Sequence, residues 1–303
     1  MPRLPEGFQA ALEAAFRNAD LPPPKLIDLD PLAGGSVNRS FLMRMASGVA
    51  FCKWNDSAPA DMFRQEAAGL AALKAAGTSL IVPRTMALWP DSGSAEPAGP
   101  GLLVLEYLEP DADEPSAETW EELGRGLAAL HRAPEDRFGW AHDNYCGLTL
   151  QDNEWTGDWP GFFAAKRIGA VVERLGRKDA LTPAELKTYA ALLEKLPTLL
   201  AHAPRPSLIH GDLWSGNFLA SNLGPALVDP AIYCADREAE LAMMALFGGF
   251  PDRVLDAYQE SWPLPPEWRE RMPIYQLYHV LNHQLLFGGS YGGQAIRIAR
   301  KFV

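Results

Sequence analysis

The run His210-Gly211-Asp212-Leu213-Trp214-Ser215-Gly216-Asn217, followed by Asp229, brings three side chains suited to phosphoryl transfer into one short stretch. Asp212 and Asn217 stand five apart, and Asp229 closes an apolar run, Ala226-Leu227-Val228, that reads as a short strand. A carboxylate at Asp212 can orient an attacking hydroxyl and accept its proton. The Asn217 amide oxygen and the Asp229 carboxylate are the hard donors that hold Mg²⁺ against phosphates. HGD alone is a weak pattern, since His and Asp are common in surface turns. The Asn at +5 and the Asp after an apolar strand give it its meaning.

A phosphate-handling site also needs a cation and backbone donors upstream. Val49-Ala50-Phe51-Cys52-Lys53-Trp54 reads as a strand with a lysine near its end. Before it, Gly34-Gly35-Ser36-Val37-Asn38 forms a turn whose glycines allow amide N–H groups to point at anionic oxygens. Residues 59–76 read as a helix with Met62, Leu70 and Leu73 on one stripe, and Glu66 falls within it. An acid on an apolar face calls for a partner. Lys53 is the expected one, while Arg64 or solvent is the competing reading. The spacing of Asp212 and Asn217 resembles the kinase pattern H-R-D-x-x-x-x-N, with Gly211 in place of the arginine, and Lys53 with Glu66 would be its Lys–Glu pair.

The elements around these residues read as a small mixed lobe over 1–108 and a larger, mainly helical lobe over 109–303, an α+β arrangement. Phe8, Leu12, Ala15 and Phe16 mark a first amphipathic helix, and strands are expected at 25–33, 40–45, 49–54 and 102–107, the last preceded by a Pro/Gly loop over 90–101. The stretch Leu108-Glu109-Pro110-Asp111 reads as a hinge, where backbone groups of Glu106, Tyr107 and Leu108 would meet an adenine edge. Beyond it, Trp120, Leu123, Leu127 and Leu130 make one helix face ending near His131. Thr182-Pro183-Ala184-Glu185 is a capping-box start for a helix to about residue 200. Further helices are expected at 238–246 and 267–287. Trp155, Trp159, Trp262 and Trp268 read as packing residues.

The chain has 303 residues, a length that suits two lobes around one cleft. A net charge of −11 argues against a nucleic-acid surface and is compatible with amine-bearing substrates. No apolar run reaches membrane-span length, and the start, Met1-Pro2-Arg3-Leu4-Pro5-Glu6, has no signal-like stretch. Cys52, Cys146 and Cys234 have neither metal nor disulfide spacing. Together these features suggest a cytoplasmic enzyme with no membrane or nucleic-acid partner, and they leave the oligomeric state open.

The chain resembles the fructosamine-3-kinase (ketosamine-3-kinase) family, relatives of the aminoglycoside phosphotransferases with a protein-kinase-like fold. The likeness rests on Gly34 to Asn38, Phe51-Cys52-Lys53, Met62 to Ala67, Leu105 to Leu108, Asp143 to Gly147, Trp159 to Phe163, His210 to Asn217 with Trp214 at Asp+2, Asp229-Pro230, Asp236-Arg237-Glu238, Leu246 to Pro251 and Tyr275 to His283. Two departures qualify it. Ser36 stands where some members carry a redox-active cysteine, so that switch is not inherited. Asp229 is followed by Pro230 rather than Phe-Gly, which implies a fixed metal loop.

The resemblance implies ATP and Mg²⁺, with Asp212 deprotonating the O3 hydroxyl of a free or protein-bound ketosamine. Asn217 and Asp229 would hold the metal. Gly34, Gly35, Ser36, Asn38, Lys53, Glu66, Glu106, Tyr107 and Leu108 would hold the nucleotide. Trp214, His279, Asn282 and His283 would be acceptor contacts, each histidine and Asn282 being equally readable as helix packing. A phosphate on C3, next to the ketosamine carbonyl, is a good leaving group, and its loss frees the amine. Two other readings stay open: a kinase for aminoglycosides or choline, which usually lack the Trp214 feature, and a silent nucleotide-binding module, which would normally have lost one of Lys53, Asp212, Asn217 and Asp229, all present here.

Overall fold

A computed structural model of the protein describes residues 4–32, 37–90 and 99–303. Gly34, Gly35 and Ser36 of the expected glycine turn, and residues 91–98 of the expected loop, lie outside the described residues. The architecture is α+β, as the sequence suggests. In chain order the first elements are α1 (Phe8–Asn18), β1 (Leu26–Leu32), β2 (Arg39–Met45), β3 (Gly48–Ala58), α2 (Met62–Ala75), β4 (Thr85–Trp89) and β5 (Gly99–Glu106). There follow α3 (Ala117–His131), β6 (Asn144–Cys146), β7 (Thr149–Gln151), α4 (Trp159–Phe162), a π-helical stretch Phe163–Gly169, α5 (Ala170–Arg177) and α6 (Pro183–Leu199). The rest comprises β8 (Pro206–Ile209), β9 (Phe218–Ser221), β10 (Gly224–Leu227), β11 (Tyr233–Asp236), α7 (Arg237–Leu246), α8 (Asp252–Ser261), α9 (Trp268–Phe287) and α10 (Tyr291–Ala299). No helix among the described residues is long and apolar enough to cross a membrane.

The backbone groups into two compact units, Met1–Leu123 with Gly216–Ala231, and Gly124–Ser215 with Ile232–Val303. In the first, five antiparallel strands run in the order β1-β2-β3-β5-β4. The α1 side chains Phe8, Leu12, Ala15 and Phe16 are buried with Phe41, Met43, Cys52, Trp54, Leu102 and Val104 from the sheet. Strand β3 outruns its apolar sequence, because Asn55, Asp56 and Ser57 still follow the edge of β5 through a register shift that ends at Ala58↔Gly99. For the same reason the expected loop over 90–101 is shorter than its composition suggests: Gly99 to Gly101 already belong to β5. Helix α2 begins at Met62 rather than near Pro59, since Pro59 to Asp61 form a turn closed by the Met62 N–H on the Pro59 carbonyl. The hairpin β9–β10 completes this unit.

The second unit is mainly helical, with the short pairs β6–β7 and β8–β11. Its core gathers Trp159, Phe162, Phe163, Tyr233, Tyr275, Tyr278 and the apolar faces of α5, α6 and α10. Thr182 caps α6 as expected: its hydroxyl accepts the Glu185 N–H, and the Glu185 carboxylate accepts the Thr182 N–H. The guanidinium of Arg167, on the π-helical stretch, is fully buried 4.0 Å from the Tyr233 ring centroid and donates to Asn153 Oδ1 and the Asp152 carbonyl. These contacts compensate the burial of its charge.

Candidate active site

In the first unit, Lys53 sits mid-strand on β3 and is 2 % exposed. A buried ammonium needs opposite charge, and two carboxylates supply it. Lys53 Nζ donates to Glu66 Oε1 at 2.6 Å and also to Asp229 Oδ1. The expected Lys53–Glu66 pair is therefore present, and Arg64 is not the partner. Burial alone would push the Lys53 pKa down, but Asp229 and Glu66 outweigh it and raise it. Burial lifts the Glu66 carboxyl, to about 7, against the pull of Lys53 and with the help of Asp229.

Hairpin β9–β10 sets Asn217 and Asp229 at one end. Phe218 pairs with Leu227, and the Val228 N–H donates to the Asn217 carbonyl, so the residues flanking the hairpin are tied together. Asp229 holds φ at 59°, in the left-handed region that residues other than glycine enter uncommonly and Asp more readily than most. Its carboxylate is 40 % exposed. An amide oxygen and a part-exposed carboxylate are the hard oxygen donors that Mg²⁺ accepts, so the donor set fits that ion.

The proposed adenine segment lies at the end of β5. Glu106 exchanges hydrogen bonds with Arg84, through its backbone N–H and its carboxylate; Tyr107 is part-buried and Leu108 buried. Asn38 Oδ1 accepts from Asn55 Nδ2 at 2.9 Å, which ties the start of β2 to β3.

In the second unit, β8 delivers His210-Gly211-Asp212. Gly211 adopts φ 83°, which explains why glycine replaces the arginine of the protein-kinase pattern. The N–H groups of His210 and Gly211 both donate to the buried carboxylate of Glu240 on α7, the second at 3.2 Å. Nothing in the local sequence marked Glu240, which lies some 30 residues away; its burial within an apolar helix face was the available signal. Asp212 keeps its side chain part-exposed, with His279 Nδ1 3.8 Å from Oδ1. Trp214 is 39 % exposed. The turn after α7 packs closely here: Gly249 has φ 93°, and a Cβ on it would lie 2.5 Å from Ser215 Cβ.

The three α9 residues fare differently. Asn282 is buried and donates its amide to the Cys146 carbonyl and Sγ. His279 is buried, and burial lowers its pKa to about 3, with His283 and Arg167 adding to the effect. His283 is part-buried, donates Nδ1–H to the His279 carbonyl at 2.8 Å, and lies in an aromatic group with Phe247, Phe287 and Tyr291.

Comparison with known proteins identifies the family. A family model described as fructosamine kinase matches residues 12–303. A probable ketoamine kinase of Synechocystis is 38 % identical over 273 residues, 89 % of this chain and 88 % of that protein. The crystal structure of a candidate fructosamine-3-kinase from Thermobifida fusca superposes with a TM-score of 0.81 at 33 % identity and covers 96 % of both chains. A ternary complex of the aminoglycoside phosphotransferase APH(4)-Ia with AMP-PNP and hygromycin B gives 0.63 at 15 % identity, covering 98 % of both chains, which is a likeness of fold. With its sequence, its fold and its buried Lys–Glu pair in agreement, the chain belongs to the fructosamine kinase family.

Proposed function

We propose that this phosphotransferase, which acts on an alcohol group and uses ATP, phosphorylates the O3 hydroxyl of ketosamines and so starts their removal from amines. The observation that carries the reading is the buried Lys53 between Glu66 and Asp229. A cation fixed in this way is preorganised for phosphate oxygens and pays no reorganisation cost during reaction. Asn217 and Asp229 are the residues that would hold Mg²⁺, which when bound neutralises charge developing on the phosphates. Gly34, Gly35, Ser36 and Asn38 would cover the nucleotide, with Glu106, Tyr107 and Leu108 at its base.

Asp212 orients the acceptor hydroxyl and accepts its proton as the oxygen bonds to the γ-phosphorus and the bond to ADP breaks. Trp214, exposed two residues later, offers a flat face to the sugar, and His283 offers its outer ring nitrogen. The ketosamine assignment is supported by the family and by relatives named ketoamine kinases. In the product the C3 phosphate is allylic to the C1–C2 double bond of the enolised ketosamine. Its departure leaves an imine that hydrolyses to the free amine.

The test is ATP consumption over fructoselysine, ribuloselysine, kanamycin and choline, with wild type and Asp212→Asn. Ketosamines should turn over far better than the other two, and Asp212→Asn should retain the fold while losing about 10²-fold or more in kcat. Turnover of kanamycin or choline with none of either ketosamine would overturn the substrate assignment. Near-native kcat in Asp212→Asn would overturn the role of the base.

A further inference from the structure

Three metal-ligating side chains converge in the second unit, and the chemistry above does not use them as a group. Cys146 Sγ, an Asp212 carboxylate oxygen and a His279 ring nitrogen all lie within 4.8 Å of one another. Cys146, at the end of β6, and His279, on α9, are buried, while the Asp212 side chain is 22 % exposed and opens the cluster to solvent. His279 Nδ1 is a buried nitrogen with no hydrogen-bond partner, 3.8 Å from Asp212 Oδ1. Such an atom carries a desolvation cost that a bound cation would offset. Asn282 Nδ2, 3.3 Å from Cys146 Sγ, is placed to support a thiolate.

We propose that Cys146, Asp212 and His279 form a binding site for Zn²⁺ or a similar soft divalent cation, and that its occupation stops phosphoryl transfer by engaging the Asp212 carboxylate. Zn²⁺ takes tetrahedral sulfur, nitrogen and oxygen ligands at about 2.0–2.3 Å, which puts neighbouring ligand atoms about 3.4–3.6 Å apart. The His279–Asp212 separation is already within a few tenths of an ångström of that, and the remaining spacings need to close by at most about 1.2–1.4 Å. Three protein ligands leave a fourth position open. Mg²⁺ prefers all-oxygen sites, so the ion serving the nucleotide does not compete well for a thiol and an imidazole.

Binding replaces the thiol proton: the S–H bond breaks, a Zn–S bond forms, the proton passes to buffer, and no electron moves. Because that proton is released on binding, metal affinity should rise with pH. The inhibition rests on the reading of Asp212 as the base; the binding does not.

The experiment uses the full chain, with Co²⁺ as the spectroscopic probe and Zn²⁺ as the inhibitor in the presence of excess MgATP. Wild type should gain a sulfur-to-cobalt charge-transfer band at one equivalent, lose it on adding Zn²⁺, and regain activity with a chelator. Cys146→Ser, with Cys146→Ala as a second variant checked for an unchanged melting temperature, should turn over normally without Zn²⁺ and show no band. Its inhibiting Zn²⁺ concentration should rise by about tenfold or more, since losing a ligand costs at least as much as losing its outer-shell partner. No thiolate band in wild type, or equal inhibition of wild type and variants, overturns the proposal. A band without inhibition overturns its inhibitory half. Normal turnover in Asp212→Asn tells against the base while leaving the cobalt result to stand by itself.

Discussion

Trp214 carries its ring to the surface, while Trp159 and Trp268 are buried. Its position in sequence, two residues after Asp212, set it apart, and the structure gives it the exposure an acceptor contact needs. If the ring stacks on the sugar, Trp214→Ala should raise the acceptor KM several-fold to about tenfold, on the order of 1 kcal/mol. The KM for ATP and the melting temperature should barely move. A fall in melting temperature with both KM values drifting together would instead make the ring a packing group. At this scale much of the site was legible. The candidates Lys53, Glu66, Asp212, Asn217 and Asp229 could be singled out because each is polar against an apolar strand or stripe, or lies at a spacing that chemistry dictates. Cys146 was not readable as a neighbour of Asp212, because that contact is made by folding between distant segments.

At the scale of elements, the loop bearing Asp212 is anchored by a helix. Glu240 on α7 accepts two backbone N–H groups from that loop, and β8 below it pairs with β11 from Tyr233↔Ile209 to Asp236↔Pro206. Glu240→Ala leaves both donors buried and unsatisfied, at about 1–3 kcal/mol each. A small displacement of Asp212 can cost up to about 10²-fold in rate. Glu240→Ala should thus lower both kcat and melting temperature. Glu240→Gln, which keeps one acceptor oxygen, should fall between the variant and wild type in both. Wild-type kcat and melting temperature in Glu240→Ala would show that the anchor is dispensable. Periodicity located α1, α3, α6, α7 and α9 to within a few residues, since each has a clear apolar face or cap. It did not reveal the π-helical stretch Phe163–Gly169 or the short pairs β6–β7 and β8–β11, whose four residues or fewer per strand leave no period to read.

For the whole molecule, the pH dependence of stability should carry the mark of His279. Its folded pKa, near 3, lies below the ordinary 6.5 because burial penalises the charged ring. A depressed pKa means that the stability is present above 6.5 and is lost as pH falls toward the folded value. The loss amounts to one proton, or at most about 1.4 kcal/mol per pH unit. Urea unfolding of wild type and His279→Gln should therefore differ by an amount that changes steadily between pH 6.5 and 4, wild type losing more; a constant difference would remove His279 from the account. The left-handed backbone of Asp229 has a different consequence, one for anyone hardening the enzyme against heat. Glycine fits such a backbone more easily than any other residue, so it is the obvious substitution there. It would also take away one of the two carboxylates that offset the burial of the Lys53 ammonium, and an under-compensated buried charge is destabilising. A glycine at this position should therefore lower the melting point as well as remove the carboxylate proposed for the metal, so heat and turnover select the same residue.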